Sequence, residues 1–143
     1  MGTTSAILTF AIELTEKSKT YYHQAQEATV ESKFHEVLQS MLKRQSKLVK
    51  RLQRFRRELV TEMILEPIHG FIREDFNIEL QLASEQSISV IVSTLLDNEQ
   101  NMRNYLRMAS EKLAFLPELS NQFLLLTEDV ETNIQALRRF AQT

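Results

Sequence analysis

The chain has 143 residues, enough for one domain with a buried core, and only four residues that break regular structure, Gly2, Gly70, Pro67 and Pro117. That scarcity excludes a turn-rich all-β fold, and the absence of cysteine excludes disulfide frameworks, cysteine zinc sites and thiol nucleophiles. The formal net charge is −2, but residues 1–57 carry eleven Lys/Arg against five Asp/Glu while residues 58–143 carry six against fourteen, so each half attracts the other or partners of opposite sign.

The first helix is expected over about Thr4 to Ala28, where Ile7, Leu8, Ala11, Ile12, Leu14, Tyr21, Tyr22 and Ala25 recur at helical spacing. Thr3 or Thr4 suits its N-cap, and Thr29 suits that of the second helix. The second helix carries Phe34, Val37, Leu38, Met41, Leu48, Val49, Leu52, Phe55, Leu59, Val60 and Met63. It is expected to end near Glu66, because the residue before Pro67 is pushed out of the α region. Residues 67–83 form a crossover, with Gly70 in a turn and Phe71, Ile72 and Phe76 against the bundle. The third helix runs from Ser84 or Ser87 to about Ala114, with Ile88, Ile91, Val92, Leu95, Leu96, Met102, Leu106 and Ala109 on one stripe. Pro117 fits the first turn of a fourth helix bearing Leu119, Phe123, Leu126, Val130, Ile134, Leu137 and Phe140.

These elements predict an all-α single domain over 1–143, a four-helix bundle of two antiparallel hairpins (about 4–66 and 84–141) joined by one long crossover. The hairpins align with each other: Ala11–Ala25 falls on Leu95–Ala109, and Phe34, Met41 and Leu48 fall on Phe123, Val130 and Leu137. No apolar run approaches the roughly 18–20 residues of a membrane-spanning helix. Residues Met1 to Phe10 lack the basic region of a signal peptide, and Ala6 breaks the myristoylation pattern, so a cytoplasmic location is expected.

The stretch Ile7-Leu8-x-Phe10-Ala11-Ile12-x-Leu14, then Tyr21-Tyr22-x-x-Ala25 and Phe34-x-x-Val37-Leu38, resembles the first hairpin of rubrerythrin-like members of the ferritin-like superfamily. The resemblance covers residues 4–60, and 85–140 more faintly. It implies a bundle in which each hairpin offers a Glu from its first helix and a Glu-x-x-His from its second, together holding two iron or manganese ions. Here those positions fall on Thr15, Met41 and Arg44 in the first hairpin and on Glu99, Val130 and Asn133 in the second. One ligand of six remains, so the resemblance implies a relative without metal or cofactor and without the family's oxidase, peroxidase and iron-storage activities. A carboxylate left at position 99 needs a partner in place of the metal. Arg44 is therefore expected to turn inward and pair with Glu99, with Asn133 or Thr15 adding hydrogen bonds.

Other chemistry is thin. The only Glu-x-x-His is Glu66-Pro67-Ile68-His69, broken by its proline; His23 sits in a polar stretch, and Glu36 beside His35 crowds out a phosphoryl acceptor. No Gly-rich phosphate loop and no nucleophile elbow occur. The basic run Lys43, Arg44, Lys47, Lys50, Arg51, Arg54, Arg56, Arg57 has no acid until Glu58. Within it Lys43, Lys47, Lys50, Arg54 and Arg57 are spaced 4, 3, 4 and 3, one stripe down a helix.

The leading expectation is a non-catalytic structural or protein-interaction bundle, not an enzyme, acting as a homodimer with the apolar patch Met63, Ile64, Leu65, Phe71 and Phe76 as its interface. One alternative is a metal-binding redox or iron-handling protein with unconventional ligands drawn from Glu99, Asp97 and Glu131. Another is an anion-binding adaptor using the stripe; nucleic acid is the disfavoured anion, because the sequence pI is about 6.0 and no aromatics interleave to stack on bases.

Overall fold

The computed structural model of the chain describes residues 2–60, 68, 70–76, 78 and 87–142, with the side chains of 59 and 60 excepted. Four helices account for most of them: α1 (Thr4–Ala28), α2 (Ser32–Val60), α3 (Ile88–Lys112) and α4 (Pro117–Ala141), with a short 3-10 turn at Arg73–Phe76. No strand occurs among the described residues, and no helix there is long and apolar enough to cross a membrane.

The helix starts follow local chemistry. The Thr3 hydroxyl accepts from the Ala6 amide at 3.1 Å, Ser87 from that of Val90 at 3.3 Å, and Pro117 occupies the first turn of α4. At α2 the expected Thr29 cap is not used. The Glu31 carboxylate accepts from the amides of Lys33 (3.0 Å) and Phe34 (3.2 Å), while Thr29 offers only its carbonyl, to His35 Nε2 at 2.6 Å. The helix begins at Ser32, so an acceptor must stand immediately before it, and Thr29 lies too far upstream. The expected end of α2 near Glu66, and a start for α3 before Ser87, lie outside the described residues.

α1 packs on α2 and α3 on α4, and the two hairpins meet through α2 against α4 and α1 against α3. Contacts between Arg44 and Asn133, Arg51 and Gln122, and Tyr105 and Ile7 run antiparallel. α1 and α4, and likewise α2 and α3, therefore stand at opposite corners, and the chain between α2 and α3 joins a diagonal. Ser110 and Ser120 lock the α3–α4 turn, each hydroxyl donating to the other residue's carbonyl at 2.8 and 2.7 Å.

The described part of the crossover is anchored by aromatic contacts. Phe71 stacks on Tyr105 at 5.2 Å between ring centroids, Phe76 and Phe10 meet the same ring edge-on, and the Tyr105 hydroxyl donates to Ile7 O at 2.5 Å. Arg73 pairs with Glu13 of α1 and lies over the Phe10 ring at 4.7 Å. Gly70, expected in a turn, has φ 73°, left-handed backbone that glycine adopts without steric cost. Phe71 and Phe76 are thus buried, and the exposed patch expected of them does not exist; Ile72, expected against the bundle, is 52% exposed. Met63, Ile64 and Leu65 lie outside the described residues. The apolar residues of α2 from Phe34 to Phe55 are largely taken up by the core, so they supply no argument for a dimer.

The apolar interior falls into two clusters. One is built around Ile7 to Leu14, Leu48 to Phe55, Met102 to Leu113 and the crossover aromatics. The other is built around Tyr21 to Ala25, Phe34 to Leu42, Ile91 to Leu95 and Leu137. Between them lies a layer of buried polar residues, Thr15, Ser18, Gln45, Asn98, Glu99 and Asn133.

Candidate functional site

Glu99 is the centre of this layer. It sits midway along α3 with none of its surface exposed. All four helices contribute to its surroundings. From α2, Gln45 Nε2 donates to Glu99 Oε1 at 3.0 Å and to the hydroxyl of Tyr22, on α1, at 3.2 Å. From α4, Asn133 Nδ2 donates to Glu99 Oε2 at 3.2 Å, and Asn133 Oδ1 accepts from Arg44 Nε of α2 at 2.5 Å. Helical periodicity dictates the convergence, because residues 44–45, 99 and 133 each fall on the inward stripe at the same level.

The inward position of Glu99 agrees with the sequence expectation, as does the contact between Asn133 and Arg44. A direct Arg44–Glu99 ion pair does not form: Asn133 stands between them and hydrogen-bonds to both. Arg44 is only half-buried, so its guanidinium keeps access to water while its Nε reaches inward. Thr15 is buried, but its hydroxyl donates back to Ala11 O of its own helix at 2.7 Å. Gln45, absent from the sequence reading, is the residue that touches the carboxyl. It is flanked by Arg44 and Ser46 in a polar run, so no hydrophobic pattern marked it as inward.

Burial raises the Glu99 carboxyl from its ordinary value of 4.5 to about 8, against the opposing pull of the Asn133 hydrogen bond. At neutral pH it is mostly the uncharged acid. Burial also lowers Arg44, while the nearby Asp129 carboxylate raises it.

As a chemical centre the layer is enclosed. A general acid must reach its substrate, and Glu99 reaches only side chains. Met41 and Val130, at two of the six positions where the resemblance implies metal ligands, offer no oxygen or nitrogen donor. Among the described residues no group of three or more His, Asp or Glu side chains converges on a point. Glu99, Asp97 and Glu131, weighed as unconventional ligands, are not brought together. Asp97 is exposed on the solvent side of α3, and Glu131 pairs with Arg103 at 2.7 Å and Arg107 at 3.4 Å. Of the histidines, His23 is exposed and His35 is engaged with Thr29 O; Glu66 and His69 lie outside the described residues.

The basic stripe keeps its expected geometry. Lys43, Lys47, Lys50, Arg54 and Arg57 are exposed along one face of α2. Arg51, counted with these cations in the basic run, turns to α4 instead, donating to Gln122 at 3.2 Å and facing Asp129 at 3.7 Å. Compared with known proteins, the chain matches no family model, no curated protein and no solved structure.

Proposed function

We propose that the chain is a non-catalytic protein-interaction bundle, a relative of ferritin-like proteins in which a hydrogen-bonded polar layer takes the place of a dinuclear metal centre. The observation that carries this reading is the Glu99 layer. Its carboxyl occupies the one retained ligand position of the resemblance, and amides of Gln45 and Asn133 hold it where metal ions would otherwise balance its charge. The diagonal placement of α2 and α3, which a single long crossover requires, supports the same reading, as does the contact between Arg44 and Asn133, positions that the alignment of the two hairpins treats as equivalent. An enclosed acid with no substrate access leaves the outer faces to carry function.

The test is elemental analysis of the purified chain after exposure to iron, manganese and zinc. The expected result is no stoichiometric metal. About one or two ions per chain, lost in Glu99→Gln, would overturn the reading, since a dinuclear carboxylate site draws on about six ligands.

A further inference from the structure

We infer that the exposed face of α2, together with the groove it shares with α1, is a docking track for a carboxylate-rich peptide segment of a partner protein. This rests on reading the bundle as an interaction module and names the chemistry of its partner. The track has two consecutive concavities. The first, about 570 Å³, lies between α1 and α2 and is lined by Lys19, His23, Gln26, Gln39, Ser40 and Lys43 among others. The second, about 370 Å³, is lined by Lys50, Arg51, Gln53, Arg54 and Arg57. Lys47 is exposed on α2 between them. Neither lining includes a carboxylate, and both mix cations with amide or hydroxyl groups, the donors that receive an anion.

Apart from Arg51, the fold gives these cations no carboxylate on another helix among the described residues. Of the acids on α4, Glu131 takes Arg103 and Arg107, and Asp129 faces Arg51, the one cation of the second concavity with a carboxylate on another helix. Among the described residues, Lys43, Lys47, Lys50 and Arg57 face no carboxylate within ion-pair reach, and Arg54 has only its helical neighbour Glu58 at 3.8 Å. Their 4, 3, 4, 3 spacing is the heptad interval, which keeps charges in line down a helix and matches carboxylates at the same interval on a second, antiparallel or parallel, helix.

The surroundings select among anions. A membrane surface requires apolar side chains to insert, and among the described residues the large apolar side chains that stand exposed, Val30, Ile72, Val90, Met108, Leu124 and Leu125, all lie off α2. A single-stranded nucleic acid requires aromatic platforms, and neither concavity has one. A duplex is wider than one helix and would bring its phosphates toward Asp129 on neighbouring α4, which faces Arg51. A narrow acidic peptide needs neither apolar insertion nor aromatic platforms, and following Lys43, Lys47, Lys50, Arg54 and Arg57 it stays on the outer face of α2.

The experiment is fluorescence anisotropy with the full chain and a labelled 21-residue Ala/Glu peptide carrying Glu at alternating intervals of four and three. A peptide with Gln at those positions, an oligo-dT strand and phosphatidylserine vesicles serve as comparators. The Glu peptide is expected to bind saturably, to weaken with added salt, and to lose about tenfold or more in affinity in the triple variant Lys43→Glu, Lys47→Glu, Lys50→Glu. Arg138→Glu with Arg139→Glu, exposed positions at the end of α4, should leave affinity within about twofold. Helical circular dichroism verifies that each variant is folded. No saturable binding of the Glu peptide, equal loss in the α4 variant, or tighter binding to the oligonucleotide or vesicles overturns the assignment. None of these outcomes touches the interaction-module reading, which fails instead on stoichiometric metal.

Discussion

Glu99 makes the chain's stability depend on pH in an unusual direction. Its carboxyl is raised in the fold, so its contribution is fully present below the unfolded value near 4.5 and is lost as pH rises through about 8. The separation between those values corresponds to roughly 4–5 kcal/mol once the group is fully ionised. Urea denaturation at pH 5, 7 and 9 should show this decline in the native chain. Glu99→Gln should flatten it, staying within about 1 kcal/mol of the native chain at pH 5 and gaining roughly 3 kcal/mol at pH 7 and several at pH 9, because the amide needs no proton taken up on folding. A direct buried ion pair would behave otherwise, with roughly 3–5 kcal/mol lost at neutral pH. Asn133→Ala should cost about 2–4 kcal/mol, since it strips a partner from both Glu99 and Arg44. The protonated state also bears on Gln45. Its Oε1 has no hydrogen-bond partner among the described residues, and a half-turn of the amide would let that oxygen accept from the Glu99 and Tyr22 hydroxyls. Nitrogen-15 chemical shifts of the Gln45 side chain that follow the Glu99 titration are the expected sign of that exchange.

At the scale of the elements, α2 depends on Glu31 for its start. Glu31→Ala should cost about 1 kcal/mol, through two lost amide contacts and one lost negative charge at the helix N-terminus. Thr29→Ala should stay within about 0.5 kcal/mol, because its hydroxyl has no partner among the described residues. Thermal denaturation of the two variants separates these outcomes. Capping was half legible in the sequence: Thr3, Ser87 and Pro117 stand where residue preferences put them, whereas Thr29 and Glu31 are both plausible acceptors and the first residue of α2 decides between them. The crossover anchor is a second element-level case. Phe71→Ala should cost about 3–5 kcal/mol, because its ring fills the space between Phe76 and Tyr105 rather than standing at the surface.

For the whole molecule, the testable feature is which helices are neighbours. The chain has no cysteine, so introduced pairs are unique. Cysteines placed at Arg51 and Asp129, whose side chains approach to 3.7 Å, should be joined by a short bis-maleimide in the folded chain. A pair on the exposed faces of α2 and α3, at Ser40 and Ser93, should not, since those helices stand at opposite corners. Gel mobility before and after denaturation reads both outcomes. An up-down-up-down bundle would make α2 and α3 adjacent and reverse the second result.

The sequence by itself determined the helices and their buried stripes, because 3.6-residue periodicity and two well-placed prolines are local properties written in consecutive residues. The ligand positions implied by the family resemblance also fall on Glu99 and Asn133, both buried. Only the tertiary structure decided what meets them. Arg44 and Gln45 are neighbours in a polar run and stand about 100° apart around the helix axis; packing against α1 and α4 decides which of them faces the core, giving the carboxyl to Gln45 and leaving Arg44 at Asn133. Tertiary packing likewise turned Arg51 toward α4 and left the remaining cations of the stripe facing water, since which charges find partners depends on distances between helices that no single helix encodes.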